Sequence, residues 1–264
     1  MKKVGFVFLL LTLIFASVQA ADFEQRQIGI RAQAMGDALL AVPTGVNSIS
    51  SNPAGFAYLT DKEAFATYTD LFGIGIAQSD FAYAQPLFGG SVGASFTKLN
   101  NTEDVFYEVN SLQLSYGRGS KLFPLNWGVT LRKDSLNSLG GKAGALTADL
   151  GLSGMRGSFA WGFVVNNLFA AVPAGKADSA PREIKVGAAY YLPNTIFALE
   201  LVGSKELRVG VEQSLSRNLA LRAGLKDGSP TFGLGLHKDL WTIDYAFELG
   251  ELGNTNSIGL IRQF

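Results

Sequence analysis

From Glu63 to the C terminus the chain repeats one pattern: short segments in which every second residue is large and apolar, with small, polar or singly charged residues between. In Leu219–Lys226, Leu219, Leu221, Ala223 and Leu225 alternate with Ala220, Arg222, Gly224 and Lys226. In Leu240–Leu249, Trp241, Ile243, Tyr245, Phe247 and Leu249 alternate with Thr242, Asp244, Ala246 and Glu248. Ser158–Asn166 sets Phe159, Trp161, Phe163 and Val165 against Ser158, Ala160, Gly162 and Asn166. A period of two is that of a β-strand, whose side chains point alternately to opposite faces. The fold class expected is all-β.

Which face meets water decides between architectures. A soluble sandwich buries its large residues and carries charge on most outward positions. Here the second face is mainly Gly, Ala, Ser and Thr, and charged residues make up only 17% of the chain, against about 25% in soluble domains. Trp127, Trp161 and Trp241 sit on the apolar face near segment ends, as does Tyr190. An outward apolar band with an aromatic girdle, around a lumen of small and polar side chains, describes a transmembrane antiparallel β-barrel embedded in outer-membrane lipid. The strand-like segments start near Glu63, Ile74, Phe88, Val109, Leu125, Gly144, Ser158, Glu183, Thr195, Glu206, Leu219, Thr231, Leu240 and Thr255, which makes about fourteen. With membrane strands of about 9–11 residues, connections on both rims must be short. The longest are expected near Asn100–Glu108 and Phe169–Ala180.

The barrel is preceded by two segments of different character. Lys2 and Lys3 lead an apolar run from Val4 to Phe15, and Val18-Gln19-Ala20 offers a cleavage site; residues 1–20 read as a secretory signal peptide, too short in its apolar part for a comfortable span. Residues 21–62 carry Arg26, Arg31 and Asp37 and end in Ser51-Asn52-Pro53-Ala54-Gly55. They read as short helices and turns, expected to fill the lumen as a hatch, because a barrel this wide leaves space that wall side chains do not fill. Three regions follow: 1–20, 21–62 and 63–264.

Composition excludes several functions. Lys+Arg and Asp+Glu balance at 22 each, which rules out a polybasic nucleic-acid binder. With no Cys and a single His, thiol catalysis and Cys/His metal sites lack their parts, and scattered carboxylates make no metal cage. A nucleophilic triad would have to use His237, yet no Gly-x-Ser-x-Gly exists and His237 stands before a turn at Lys238-Asp239. It reads as a solvated interfacial histidine. No enzyme and no cofactor is expected.

Two stretches carry a family likeness. Arg31-Ala32-Gln33-Ala34-Met35-Gly36-Asp37-Ala38, followed by Asn47-Ser48-Ile49-Ser50-Ser51-Asn52-Pro53-Ala54-Gly55, resembles the N-terminal plug of FadL-like outer-membrane barrels. Phe232-Gly233-Leu234-Gly235-Leu236, Thr242-Ile243-Asp244-Tyr245-Ala246-Phe247 and Leu252-Gly253-Asn254-Thr255-Asn256 look most like the smaller PorV/PorQ-type branch. The resemblance implies a fourteen-stranded barrel with a lumenal hatch in a bacterial outer membrane. It implies one of two functions: binding or passively passing a small hydrophobic molecule, or acting as an adaptor that docks secretion-system or surface-attachment proteins. The chain departs from the fatty-acid transporters of that family in lacking room for their extended loops. Its terminal Phe264 resembles the signal that hands barrels to the barrel assembly machinery, although Arg262 replaces the usual aromatic or apolar residue third from the end.

The candidate residues fall into groups. Arg31, Met35, Asn47, Asn52 and Pro53 form the hatch that would control access, with Met35, Leu39, Leu40 and Val42 lining an apolar pocket or packing one amphipathic turn. Pro53 fixes φ and pushes Asn52 toward extended geometry, giving either a rigid bend or a gate that interrupts the wall. Arg208, Glu212, Arg222, Asp244 and Glu248 are expected on the lumen face as an ion network, which either satisfies charges and docks the hatch or forms a polar pathway. Trp127, Trp161 and Trp241 form the membrane girdle.

Overall fold

The computed structural model describes residues 28–101, 107–120, 124–138, 141–171, 181–204 and 206–264. The expected signal peptide, and residues 21–27 of the hatch, lie outside them. Fourteen antiparallel strands close into a barrel: β1 (Glu63–Leu71), β2 (Ile76–Leu87), β3 (Gly90–Asn101), β4 (Tyr107–Gly119), β5 (Asn126–Ser138), β6 (Gly141–Arg156), β7 (Phe159–Ala171), β8 (Glu183–Tyr191), β9 (Thr195–Val202), β10 (Glu206–Ser214), β11 (Leu219–Lys226), β12 (Ser229–Lys238), β13 (Trp241–Gly250) and β14 (Gly253–Gln263). Each strand pairs with its sequence neighbours, and β14 closes on β1 with Glu63 opposite Gln263. The chain therefore enters and leaves the wall at one rim, called proximal here; the β1–β2 turn lies at the distal rim. Closure removes every free strand edge, which is how a sheet satisfies its backbone in lipid.

The faces follow the alternation. Leu221, Leu225, Ile243, Tyr245 and Leu249 are exposed on the outside, whereas Ala220, Arg222, Asp244 and Ala246 are buried inside. All three tryptophans point outward, and all three lie near the proximal rim, at the starts of β5, β7 and β13. Trp161 covers Gly154 of β6, its direct cross-strand partner, where a Cβ would meet the indole. Trp127 packs edge-on against Tyr116 with ring centroids 5.8 Å apart. The girdle of tryptophans is thus a single one.

The fully described connections are short, two to four residues each. Most of the two segments expected to be longest, near 100–108 and 169–180, lies outside the described residues. The ladder has one irregularity, between Ala148 and Leu150 of β6, where β7 carries a bulge at Asn166–Leu168. Asn167 takes φ 53° there, and its N–H donates to Asp149 at 2.7 Å. A bulged residue leaves the ladder and needs other partners, and Asn167 finds a second in Arg132, whose Nη2 donates to Oδ1 at 2.7 Å.

Candidate functional site

The described part of the hatch lies across the lumen. It holds a five-residue helix α1 (Ile30–Ala34), a 3₁₀ turn (Gly45–Asn47), a second short helix α2 (Ser48–Ser51) and a longer 3₁₀ turn (Pro53–Tyr58). Helix α1 stops at Gly36 and Asp37, both left-handed (φ 63° and 60°). The Gly36 N–H bonds to the Gln33 carbonyl and the Asp37 N–H to the Ala32 carbonyl, the paired closure that caps a helix C terminus. Asn52 is extended (φ −157°), and its side chain accepts from the Ala54 N–H at 3.1 Å, capping the turn that Pro53 begins.

Glycines of the wall seat the hatch. Gly117, Gly128 and Gly151 lie against Asn52 and Pro53, Gly93 against Phe56, Gly162 and Gly187 against Leu40, Gly210 and Gly224 against Met35, Gly233 against Ala34 and Gly259 against Ile30. These positions occupy ten of the fourteen strands and form a belt around the lumen. A Cβ at Gly210 would stand 2.5 Å from the Met35 carbonyl oxygen, and one at Gly187 would stand 2.8 Å from the Leu40 Cβ. Only a wall stripped of side chains lets the hatch backbone come this close. Ten of the chain's 31 glycines serve that need.

Polar ties then fix the hatch, most densely over β10–β13. Arg31 makes a bidentate pair with Glu212, Nε to Oε2 at 2.8 Å and Nη2 to Oε1 at 2.7 Å. Glu212 also accepts from Arg222 Nε at 2.6 Å, and Arg222 Nη1 reaches Asp244 at 2.6 Å. Burial alone works against the charge on Arg31; the Glu212 carboxylate outweighs it and raises the guanidinium's pKa above its ordinary value. Asp37 pairs with Lys226 at 2.8 Å, and Thr231 donates to the Ala34 carbonyl at 3.2 Å. The Leu40 N–H donates to Glu200 at 3.1 Å, and the Val46 N–H donates to Glu63 at 2.7 Å. Asn52 Nδ2 donates both to the Leu40 carbonyl and to the Leu152 carbonyl of β6, each at 3.0 Å, joining the two halves of the hatch to the wall.

The seam over β7–β9 is different. Ala32, Met35, Ala38, Leu39, Ala41 and Val42 pack against Ala160, Ala189 and Ala198, with Tyr191 and Ile196 at the margin. A second apolar cluster joins Ile28, Val46, Ile49, Phe56 and Leu59 to Phe65, Ala82 and Ala84 of β1 and β2.

The sequence-predicted residues thus meet different fates. Arg31, Glu212, Arg222 and Asp244 come together in one chain of ion pairs. Arg208 belongs to a neighbouring group, paired with Glu206 at 2.7 Å and Glu200 at 3.4 Å. Glu248 joins neither: it lines a cleft of about 750 Å³ at the distal rim with Lys226, Phe72 and Leu252. The reason is height, since Glu248 stands opposite Thr231 near the far end of β13, whereas Asp244 stands opposite Gly235. Met35, Leu39, Leu40 and Val42 are fully packed rather than lining an open pocket. Asn52-Pro53 makes a capped bend against an intact wall and does not interrupt it. His237 faces the lumen instead of the lipid interface, with Nδ1 2.9 Å from the Thr242 hydroxyl, in a cavity of about 330 Å³ that also reaches Arg31, Asn47 and Asp244.

Asp37 and the glycine belt carry much of the docking and were not singled out from sequence. The signal for the belt was present, as a glycine at one lumen-facing position in strand after strand. Its partners were not readable.

No protein-family model matches the chain, and no curated protein sequence matches it. Solved structures do. The chain is similar to the CymD monoaromatic hydrocarbon channel, with TM-score 0.69 and 11% identity over 92% of this chain and 99% of that one. It is similar to the toluene transporter TbuX of Ralstonia pickettii (TM-score 0.63, 12% identity, 92% of this chain and 100% of that one). A FadL homologue of Pseudomonas aeruginosa gives TM-score 0.59 and 10% identity, over 92% of this chain and 98% of that one. The fold is that of the FadL-like hydrocarbon-channel barrels.

Proposed function

We propose that this FadL-like barrel passes a small hydrophobic molecule across a bacterial outer membrane by diffusion, under the control of its hatch. The observation that carries the reading is the apolar seam over β7–β9, where Met35, Leu39 and Val42 face Ala160, Ala189 and Ala198. Among the hydroxyls, amides and charges that line much of the lumen, this seam is a stretch of hydrocarbon on which an apolar solute loses little by leaving lipid or an apolar surface. The hatch occupies it at rest, so passage requires Met35 and its neighbours to move while the ion pairs at Arg31 hold. A concentration gradient supplies the drive. Two of the solved neighbours named above are a monoaromatic hydrocarbon channel and a toluene transporter, which supports this reading and lends none to an adaptor of the PorV kind. In this proposal an N-terminal signal peptide directs export, the C-terminal strand with Phe264 engages the assembly machinery, and the distal rim, with the connections expected to be longest, faces the exterior.

The chain has no cysteine, so a reversible lock is simple to build. Leu39 of the hatch and Ala189 of the wall belong to one buried apolar cluster, and the double variant Leu39→Cys, Ala189→Cys, once oxidised, pins hatch to wall without filling a glycine seat. Cells with the oxidised variant are expected to take up toluene no faster than cells without the barrel, and reduction restores the flux. Equal uptake with the lock open and shut would remove the hatch from the mechanism. No gain in uptake from the unmodified barrel would remove transport of that solute.

A further inference from the structure

The proximal rim carries an arrangement on its outer face that neither the lumen nor the hatch uses. Arg262, the residue that breaks the expected C-terminal pattern, points outward from β14 and lies between two aromatic rings. Its guanidinium carbon stands 4.8 Å from the centroid of Trp241 and 4.8 Å from that of Phe264. Trp241 is the direct cross-strand partner of Arg262 on β13, and Lys238 is the partner of Trp241 on β12, so the three form one row across three strands. Lys62 adds a fourth member, because the Phe264 N–H bonds to its carbonyl at 2.9 Å. All of these side chains are exposed. Asp61 and Asp239 lie in the flanking turns, yet among the described residues no carboxylate pairs with Lys62, Lys238 or Arg262. Asp61 instead accepts from Thr60 at 2.8 Å.

We infer that this row is a binding site for the headgroup of an anionic phospholipid in the leaflet that meets the proximal rim. Three features converge. The tryptophans all mark this rim as the level of the membrane interface, where indole rings sit among headgroups. Contact with the two rings holds the guanidinium in place without using its N–H groups. Those groups remain directed at the position where a phosphodiester would lie, and a planar fork matches two phosphate oxygens. Lys238 and Lys62 then supply the point charge that favours a lipid of net negative charge over a zwitterionic one. Leu236 and Leu260, exposed one step along the same faces toward the membrane centre, are where the acyl chains of that lipid lie.

The test uses folded, delipidated full-length barrel in detergent, with the heat-dependent gel shift as the check of folding. Dioleoylphosphatidylglycerol and dioleoylphosphatidylcholine are added separately and retained lipid is counted by native mass spectrometry. The expected result is one phosphatidylglycerol held about tenfold more tightly than phosphatidylcholine, with the preference lost in Arg262→Gln and partly kept in Arg262→Lys. Equal retention of both lipids by the unmodified protein, or unchanged preference in a folded Arg262→Gln, would overturn the proposal. A second measurement avoids any change at Arg262. In Trp127→Phe, Trp161→Phe protein, Trp241 is the sole tryptophan, and its fluorescence should be quenched more by a trace of brominated phosphatidylglycerol than by the same trace of brominated phosphatidylcholine. Equal quenching would be decisive against it.

Discussion

The two sides of the hatch are held by opposite kinds of chemistry. Over β10–β13 the contact is directional: Arg31, Glu212, Arg222 and Asp244 form a chain of charge-assisted bonds, with Asp37 and Lys226 beside them. Over β7–β9 the contact is mainly alanine and aliphatic surface, which has area without direction, with one directional tie, the Leu40 N–H to Glu200 of β9. The charged side sets one position and one orientation, because a buried ion separated from its partner is costly. The apolar side tolerates small displacements, because a slide of a leucine over alanines keeps most of its buried area. A hatch built this way is anchored on one side and free to yield on the other. The proposed solute path follows the yielding side.

That contrast can be broken from the wall outward. Gly128→Val places a side chain where the Pro53 carbonyl and the Ala54 N–H now sit, so the hatch is expected to lose its seat altogether. Limited proteolysis should then cleave within residues 28–62 while the barrel keeps its heat-dependent gel shift; a protected hatch would mean the belt is not needed for seating. Removing the anchor comes next. Glu212→Gln leaves Arg31 and Arg222 without their shared carboxylate, and buried pairs broken in this way cost about 3 kcal/mol or more. Flux of an apolar solute should rise and lose its selectivity for size, which single-channel or liposome-swelling measurements would detect. On the apolar side, Leu39→Ala takes most of one side chain out of the cluster that holds Ala160, Ala189 and Ala198 and is expected to cost about 2 kcal/mol, raising flux while Arg31 stays paired. If the two variants give the same selectivity, the two sides are not mechanically distinct. The smallest effect belongs to Arg31→Lys, which keeps the charge but gives up the second bond of the fork. About 1 kcal/mol of hatch anchoring is expected to go, visible as modestly faster hydrogen exchange in Ile30–Ala34.

How much of this was legible in the sequence differs between wall and hatch. The starts of β1, β8, β9, β10 and β11 fall at Glu63, Glu183, Thr195, Glu206 and Leu219, as the alternation predicts, and the remaining starts are within a few residues. Such accuracy is available because a strand in lipid has only one way to place its faces, and a slip of one residue would put Arg222 or Asp244 into hydrocarbon. The lumen charges were legible as lumen charges for the same reason. Their pairing was not. Arg31 and Glu212 are 181 residues apart, and which carboxylate a hatch arginine meets depends on height along the strand, a coordinate that alternation does not carry. Glu248 illustrates the failure: its face was right and its level wrong. His237 fails differently, since its place one step before a turn did not say that it completes the inward set Thr231, Gly233 and Gly235.

The glycine belt also fixes an order of events. A hatch seated on glycines in ten strands from β3 to β14 cannot be slid into a finished cylinder, because its cross-section is matched to the lumen on nearly every side. The hatch, made before the strands that hold it, acts as the mandrel around which they are laid, and the pairing of β14 with β1 is the seal. Hatch peptide supplied to an already closed, hatchless barrel should therefore fail to dock, however long the two are incubated.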